Sequence, residues 1–410
     1  MKICMLAEFL PPAFGGAACQ ALRLAGELRR MGLEVFFLGR RERGFRHLDS
    51  TLDGFSVIRV GVGSPPAGKW AKIRALLGSI AILTLQRRRY EILHIHGPYY
   101  LTLAVGLFAR RVLRKKLVLK LTLTDFDTPS GVKAGKYGWF AWYCYCQADA
   151  YACMSSALYE ECLQHGLPKE KLFRTPNGVE ASHFQPVRTN LERVNVLKHL
   201  GLPAGYRYAV FIGTIEKRKG VDLLVEIAAA VCSRHNDVRF LLIGPDGRRP
   251  VERHIPQCYV NAIQSRIQIL GLEDRILLLG HQTNTWDYLR AATLFVFTSR
   301  AEGFGTVVIE AMASGLPCVV LNLPGVTSDI ISNGDDGIVI EGEDVPAFAT
   351  EIGRILTEET WARELGNAAR RAALERFDMP VVARGYLELY ERSLANSKGG
   401  TLVSRSQPLS

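Results

Sequence analysis

The sequence contains no hydrophobic run long enough to span a membrane. Its longest apolar stretch, residues 75–85, is about half of the roughly 20 residues that a helix needs to cross the hydrocarbon of a bilayer. Residues 1–10 include Glu8 and are followed at once by Pro11 and Pro12, so they lack the apolar segment and cleavage site of a signal peptide. These absences predict a cytoplasmic protein.

Motifs of several other protein classes are also missing. The nine cysteines are odd in number and form no C-x-x-C pair, which favours reduced thiols over a disulfide framework or a zinc site. Neither the G-x-G-x-x-G fingerprint nor the P-loop occurs, which argues against dinucleotide and ATP chemistry. With 410 residues, 48% of them hydrophobic and 22% charged, the chain has the composition of a globular protein of two or three domains.

Acidic residues are scarce at one end of the chain. Residues 1–120 hold seven Asp and Glu against 21 Lys and Arg, whereas residues 121–410 hold 33 against 30. Three basic clusters cause the excess: Arg40, Arg41, Arg43 and Arg46; Arg87, Arg88 and Arg89; Arg110, Arg111, Arg114, Lys115 and Lys116. Such an excess indicates an anionic partner. Nucleic acid is not expected to be that partner, because no recognised binding motif interleaves aromatic residues with the clusters.

The segment before the second cluster mixes apolar and basic residues. It contains Trp70, Ile73, Leu76, Leu77 and Ile80, interleaved with Lys69, Lys72 and Arg74. Two interpretations stay open. The segment is either an amphipathic helix lying on an anionic bilayer, where each basic residue adds about 1 kcal/mol, or a core helix with a solvated basic end.

The order of apolar segments predicts two α/β sheets in tandem. A strand at 2–7, a Gly-rich loop, a helix ending at Gly32 and a strand at 35–38 form a βαβ unit of a parallel sheet. Further strands are predicted at 56–60, 92–95, 117–121 and 150–154, and a second series at 208–212, 239–243, 276–279, 294–298 and 318–321. Ligands bind beyond the carboxyl ends of such strands, so the cleft between the two sheets is the expected site.

These segments predict the domain organisation. The first domain is expected at residues 1–187 and the second at 188–379. A last helix, at 380–395, and a disordered tail, at 396–410, follow.

The most informative stretch runs from 299 to 319 and reads SRAEGFGTVVIEAMASGLPCV. A Gly-flanked loop carrying Glu302 follows a buried strand, and a helix begins at Thr306, where free backbone N–H groups would bind phosphate. Glu302 and Glu310 flank this anion site. A surface salt bridge would explain either glutamate alone, but the combination indicates a site that holds hydroxyl groups on either side of a diphosphate.

The E-x7-E element in this stretch resembles that of the retaining glycosyltransferase family 4, also described as glycosyl transferases group 1. Further matches cover nearly the whole chain and read FLPPAFGG, EILHIHGP, TPNGVEASHF and FIGTIEKRKGVDLL. The resemblance implies the GT-B fold, an α/β architecture in which two Rossmann-like, doubly wound domains face a central cleft and a C-terminal helix crosses back to the first domain.

The resemblance also implies an activity. A sugar would move from a UDP- or GDP-sugar to an acceptor hydroxyl with retention of configuration, without a metal or another cofactor. The acceptor would be a growing glycan or a lipid-linked sugar of cell-envelope polysaccharide synthesis. The alternatives are a sugar-nucleotide epimerase or a phosphorylase of the same fold, and a non-enzymatic basic binding protein.

Donor binding falls mainly to the second domain in this resemblance. Lys219 would neutralise the diphosphate, Glu310 would bind the ribose and Glu302 the sugar hydroxyls, while Thr214 stands where the family often has an arginine. The candidate donor-binding residues are Gly16, Thr214, Arg218, His281, Gly303, Phe304, Gly305, Thr306, Val307 and Glu310. Gly16 belongs to the first domain, where a side chain would clash with the diphosphate.

The first domain departs from the family pattern. Many members carry a histidine after the strand predicted at 117–121, but this chain reads KLTLTDFDTP. Asp125, Asp127 and His96 are therefore the candidates to face the acceptor. The candidate catalytic residues are Glu302, Lys219, His96 and Asp127. The D-x-D of Asp125 and Asp127 is not expected to bind a metal, because Lys219 and the helix N-terminus already supply positive charge.

Overall fold

The chain folds into two α/β units, each built on a parallel sheet. The computed structural model describes residues 1–7, 10–11, 16–40, 49–61, 68–123, 126–249, 252 and 255–395. The strands of the first sheet are β1 (Lys2–Ala7), β2 (Glu34–Arg40), β3 (Asp49–Leu52), β4 (Phe55–Val60), β5 (Ile92–His96), β6 (Lys116–Lys120), β7 (Ala150–Cys153) and β8 (Leu172–Arg174). They lie in the order β3-β4-β2-β1-β5-β6-β7-β8. Among the described strands, only β3 and β4 pair antiparallel.

Helices cover this sheet because its central strands are apolar on both faces. They are α1 (Gly16–Arg30), α2 (Lys69–Leu85), α3 (Tyr100–Arg111), α4 (Pro129–Ala134), α5 (Gly138–Cys146) and α6 (Ser156–Gln164). In α1, Leu22, Ala25 and Leu28 are buried, as their helical spacing predicted. The strand–loop–helix–strand unit expected at the start of the chain is therefore confirmed.

The second unit repeats the architecture with six strands. Its elements are α7 (Asn190–His199), β9 (Arg207–Ile212), α8 (Val221–Cys232), β10 (Val238–Ile243), α9 (Gln257–Ile269), β11 (Ile276–Gly280), α10 (Thr285–Ala291), β12 (Leu294–Phe297), α11 (Thr306–Ala313), β13 (Cys318–Leu321), β14 (Ile338–Ile340), α12 (Val345–Thr357) and α13 (Glu359–Phe377). The strand order is β11-β10-β9-β12-β13-β14. Because α7 packs against α10, it belongs with this unit. The boundary between residues 187 and 188 stays a prediction.

The last helix, α14 (Met379–Ala395), returns to the first unit. It packs against α1, and its buried Tyr386 and Tyr390 join the apolar core that also holds Ile3 and Leu28. The expected C-terminal crossing is thus confirmed. The tail predicted to be disordered, 396–410, lies outside the described residues.

The basic clusters of the first unit have different environments. Arg41, Arg43 and Arg46 lie outside the described residues. Arg110 and Lys116 pair with Asp149 at 3.1 and 3.5 Å, so part of the third cluster has a structural role. Arg87, Arg88 and Arg89 are exposed beyond the end of α2.

Helix α2, whose sequence left two interpretations open, is partly packed and partly exposed. It packs against α3, yet Trp70, Leu77 and Leu85 leave most of their side-chain surface exposed. Within the described ranges, no helix combines the length and the apolar character that crossing a bilayer requires.

Candidate active site

A cleft of about 380 Å³ lies between the two sheets, at the carboxyl ends of their strands. Most of the predicted donor-binding residues line it: Gly16, Thr214, Arg218, Lys219, His281, Glu302, Gly303, Phe304, Gly305, Thr306 and Val307. A Cβ atom added at Gly16 would meet no other atom of the described chain within 4 Å, so any clash there would be with a ligand.

The loop 302–305 places the N-terminus of α11 in the cleft. Gly305 precedes the helix with a φ of 94°, a left-handed conformation that glycine adopts without strain. Gly303 faces the first domain so closely that an added Cβ would lie 2.2 Å from the backbone oxygen of Thr122. The side-chain amide of Asn177 donates a hydrogen bond of 2.9 Å to the Thr306 hydroxyl. The N-terminal N–H groups of α11 therefore lie where the two domains meet.

The basic turn Lys217–Lys219 lies beside this loop. It ends at Gly220, whose φ is 64° and where a Cβ would lie 2.0 Å from the backbone oxygen of Thr298. The backbone N–H of Arg300 donates to the carbonyl of Arg218, and the Arg218 guanidinium donates to the carbonyl of Ala301, both at 2.8 Å. These bonds tie the two loops together, so the basic turn and the helix N-terminus keep a fixed spacing.

Glu302 is the partner of two of the three cations of the turn, Lys219 and Arg218. Its carboxylate contacts the Lys219 ammonium directly and lies 3.5 Å from Arg218, and the Ser299 hydroxyl donates to it at 2.9 Å. Burial acts to raise the pKa of Glu302, but the charges of Lys219 and Arg218 and the hydrogen bonds outweigh it and hold the pKa below its usual range. Glu302 is thus an anion that orients Lys219.

Lys120, which the sequence reasoning missed, supplies a further cation from the first domain. It ends β6, lines the cleft, and donates a 2.8 Å hydrogen bond from its ammonium to Asn177. Burial lowers its pKa to about 7, because a charged ammonium loses its hydration there. A lysine at the end of an otherwise apolar strand was the available signal. Through Asn177 it is linked to Thr306.

Glu310 pairs with an arginine of the first domain. Its carboxylate accepts a 2.7 Å bond from Arg23 of α1, and Arg23 also lies 3.4 Å from Glu180. Glu310 is buried and is not among the residues that line the cleft. In this structure the carboxylate of Glu310 joins the two domains through Arg23. A bound ribose would have to share that carboxylate with Arg23.

Asp127 is also placed differently from the expectation. It is fully buried, and its carboxylate accepts bonds from the N–H and hydroxyl of Thr122 and from the N–H of Leu123, at 2.5 to 3.0 Å. Burial raises its pKa to about 6 despite these hydrogen bonds. It holds the loop after β6 and does not line the cleft. Asp125 lies outside the described residues.

His96 ends β5 and is 5% exposed, with its ring 4.2 Å from that of His94 between centroids. Burial first, and then His94 and Lys120, lower its pKa well below the usual value, which favours a neutral imidazole. It lines a separate cavity of the first domain that adjoins the cleft.

Two further predicted residues border the cleft with defined partners. His281 contacts Arg249 at 2.9 Å between Nδ1 and the guanidinium, and burial followed by Arg249 lowers its pKa. The ring of Phe304 is buried edge-on against Phe377, so only its backbone is available to a ligand. Among the described residues, no three His, Cys, Asp or Glu side chains are grouped as a metal site would require.

Comparisons with known proteins identify the family and the fold. The family model described as glycosyl transferases group 1 matches residues 194–372, and the glycosyl transferase 4-like domain matches residues 15–178. The crystal structure of Anabaena HepE with UDP and glucose has a TM-score of 0.77 and 21% identity, covering 95% of this chain and 99% of that one. The two-domain GT-B fold is therefore confirmed.

Characterised relatives span much of the chain. N-acetyl-alpha-D-glucosaminyl L-malate synthase of Bacillus anthracis is 26% identical over 95% of this chain and 97% of its own length. The lipopolysaccharide core biosynthesis mannosyltransferase LpsB of Rhizobium meliloti is 28% identical over 52% and 59%. With both halves matched by the two family models, this chain belongs to the group 1 glycosyl transferases, with a glycosyl transferase 4-like first domain.

Proposed function

We propose that this glycosyltransferase moves a sugar from a nucleoside diphosphate sugar to an acceptor hydroxyl, with retention of the anomeric configuration and without a metal ion. The observation that carries the proposal is the convergence of cationic groups on one cleft. Lys219 and Arg218 lie on the second domain, Lys120 lies on the first, and the N-terminus of α11 lies between them.

Such a cleft is suited to a leaving diphosphate. As the bond from the sugar to the phosphate breaks, negative charge develops on the phosphate oxygen, and fixed positive groups stabilise that charge most in a site shielded from water. Glu302 holds the Lys219 side chain, and Arg300 holds the loop that carries Lys219. Little reorganisation is therefore needed when the charge appears. These groups can supply the positive charge that a divalent ion supplies in other transferases.

The step that we propose is a substitution on one face of the sugar. The acceptor oxygen forms a bond to the anomeric carbon, while the bond from that carbon to the phosphate oxygen breaks and leaves its electron pair on that oxygen. The proton of the acceptor hydroxyl passes to the same phosphate oxygen. Glu302, beside Lys219, would receive hydrogen bonds from hydroxyl groups of the donor sugar and so orient it.

The comparisons support a donor class and a biological setting. HepE was crystallised with UDP and glucose, which supports a UDP-sugar. LpsB is named for lipopolysaccharide core synthesis, which supports an acceptor in the cell envelope, either a growing glycan or a lipid-linked sugar.

The first experiment is a thermal-shift panel of UDP, GDP and ADP, each alone and as its sugar. A ligand that binds only the folded chain raises Tm, by an amount equivalent to about 2.7 kcal/mol at 100 times Kd. We expect one nucleoside to stabilise the protein clearly more than the others. No shift with any nucleotide would contradict the proposal.

The second experiment follows the product by proton NMR with the selected donor, with and without acceptor sugars. We expect a product whose anomeric coupling matches that of the donor, and unchanged rates after EDTA treatment. An inverted product, or a rate restored only by a divalent ion, would contradict retention or metal independence. Conversion of the donor without an acceptor would indicate an epimerase.

We also propose that α2 brings the first domain to an anionic membrane. Trp70 is 75% exposed, Leu77 59% and Leu85 74%, and the exposed Arg87–Arg89 follow at the end of the helix. Exposed apolar side chains beside basic ones are typical of interfacial helices.

Sedimentation with vesicles of phosphatidylglycerol and phosphatidylcholine at low salt tests this contact. The double variant Trp70→Ser, Leu77→Ser should lose most binding. Ile269→Ser, which alters a residue 75% exposed on the second domain, is the matched control and should bind as the wild type does. Absence of wild-type binding would refute the membrane contact.

A further inference from the structure

A second cavity, of about 550 Å³, lies in the first domain next to the cleft. This volume is within the roughly 300–1,000 Å³ that is typical of small-molecule sites. Leu6, Leu38 and Val60 line it at the carboxyl ends of β1, β2 and β4. Ala17 and Thr122 line both this cavity and the cleft, so the two adjoin. We call it the first-domain cavity.

The walls of the first-domain cavity are mainly apolar. Helix α2 contributes Ala71, Ala75 and Leu76, and α3 contributes Tyr100 and Val105. A glycan would place many hydroxyl groups against these side chains, and a buried hydroxyl without a partner is costly. Hydrocarbon is the chemistry that fits such walls, because each apolar group that leaves water contributes favourably.

Polar side chains interrupt this lining, among them Lys72, Ser79 and Thr102, and one of them lacks a hydrogen-bond partner among the described residues. His96 lines the first-domain cavity, is 5% exposed, and has no hydrogen-bond partner for either ring nitrogen among the described residues. Buried polar groups are nearly always paired, so an unpaired imidazole beside a cavity indicates a ligand group that completes its hydrogen bonding. A neutral imidazole accepts a hydrogen bond at one nitrogen, and an alcohol hydroxyl can donate it.

His96 is also on the side of the cavity that meets the cleft. It is followed by Gly97, where an added Cβ would lie 3.2 Å from the hydroxyl oxygen of Thr122, and Thr122 lines both spaces. A hydroxyl held at His96 would thus lie at the passage from the first-domain cavity to the donor site.

We infer that the first-domain cavity binds the hydrocarbon part of an amphiphilic acceptor, and that His96 holds the hydroxyl to which the sugar is transferred. This inference rests on the proposed function, because it assigns the acceptor of that same reaction. The acceptor is then an alcohol with a long hydrocarbon group rather than a free glycan. His96 positions the hydroxyl, and the proton still leaves to the phosphate oxygen.

The position of α2 agrees with such an acceptor. Ala71, Ala75 and Leu76 line the cavity, whereas Trp70 and Leu77 of the same helix are exposed outside it. One helix therefore separates the first-domain cavity from the surface proposed to lie on the membrane, so an amphiphile in that membrane is close to the site.

Binding of simple alcohols tests the hydrocarbon site without knowledge of the natural acceptor. We propose titrating the full-length protein with 1-hexanol, 1-heptanol and 1-octanol, observed by saturation-transfer NMR. Burial of one methylene changes Kd by roughly fourfold, so we expect affinity to rise by about that factor with each added carbon. Equal affinity for the three alcohols would overturn the inference.

Two substitutions that replace an alanine of α2 by tryptophan locate the alcohol-binding site. Ala71→Trp fills the cavity from its wall and should abolish the chain-length dependence. Ala81→Trp places the same side chain at an exposed position of the same helix and should leave it unchanged. Chain-length dependence that survives Ala71→Trp would show that the alcohols bind elsewhere and would overturn the inference.

The role of His96 is tested by pairing a variant with an altered ligand. The wild type should bind 1-octanol roughly 2- to 12-fold more tightly than its isomer heptyl methyl ether, which has the same number of carbons but cannot donate a hydrogen bond. His96→Leu should bind both ligands equally while keeping the chain-length dependence. An unchanged preference in His96→Leu would remove His96 from the site.

The failure of this inference can be told apart from the failure of the proposed function. Nucleotide binding, measured by thermal shift on the same variants, is expected to persist, because neither Ala71 nor His96 lines the cleft. A wild type that binds nucleotide but shows no chain-length dependence for the alcohols would overturn the acceptor inference alone. If no nucleotide shifted the Tm of the wild type, that result would instead contradict the donor assignment.

Discussion

Lys120 gives the most quantitative prediction, because its burial couples stability to pH. Its pKa is lowered from 10.5 to about 7 in the folded protein. Between these two values the unfolded chain binds a proton that the folded chain does not, so stability rises with pH in this window. For these pKa values the contribution grows by roughly 2–3 kcal/mol from pH 6 to pH 9.

The perturbation is Lys120→Met, which keeps the length of the side chain and removes its charge. Removing Lys120 also removes its effect on the pKa values of His94 and His96, but burial, the larger cause, still keeps both values low, so the difference between wild type and variant reports mainly on Lys120. We expect that difference to change by roughly 2–3 kcal/mol between pH 6 and pH 9, in favour of the wild type at the higher pH. For a chain of 410 residues that unfolds as one unit, this equals about 2–4 °C in Tm.

The assay is thermal and urea unfolding of both proteins across this pH range, with Lys198→Met as the control. Lys198 is an exposed lysine of α7, so its removal should leave the pH profile of the wild type unchanged. Parallel profiles for wild type and Lys120→Met would refute the reasoning, because they would mean that Lys120 titrates alike in the folded and unfolded chain.

Three further predictions concern the loops of the donor site. Gly303→Ala should lower kcat roughly 10- to 100-fold while nucleotide Kd changes little, because the new Cβ pushes the loop away from Thr122 across the cleft. Steady-state kinetics would measure kcat and calorimetry would measure Kd. An unchanged kcat would contradict this prediction. Arg300→Gln should raise the donor KM about tenfold and lower Tm, because the Arg300 guanidinium donates hydrogen bonds of 2.8 Å both to the Asp222 carboxylate and to the Lys217 carbonyl of the basic turn. Equal KM and Tm in variant and wild type would contradict that role. Glu302→Gln should reduce kcat more than donor affinity. A burst of product that forms at the wild-type rate in stopped-flow measurements would count against the role of Glu302.

The sequence allowed much of the fold to be predicted, because the decisive patterns are local. Buried parallel strands are apolar along their whole length, and the strands predicted from such runs differ from the structure by at most two residues at either end. The short strands β3, β8 and β14 were missed. None of these three contains four consecutive apolar residues, and their pairing depends on neighbours elsewhere in the chain.

The donor side of the site could also be anticipated, since its loops are contiguous in sequence. Lys219, Thr306 and the glycines between strand and helix meet in the cleft, as the family resemblance implied. The pairing of Glu310 with Arg23 could not be foreseen, because the partners are 287 residues apart and meet only through the packing of two domains. Asp127 was misplaced for a different reason. Its carboxylate is used by the loop that carries it, which a spacing pattern does not reveal.

The central claim is that the cations of the cleft hold a diphosphate, and Lys219 tests it most directly. Calorimetric titration of the preferred nucleoside diphosphate into wild type, Lys219→Gln and Lys217→Gln compares a cleft lysine with an exposed one in the same turn. Loss of a charge-assisted bond predicts a Kd weaker by roughly 10- to 150-fold in Lys219→Gln and nearly unchanged in Lys217→Gln. Equal affinity in all three proteins would contradict the account.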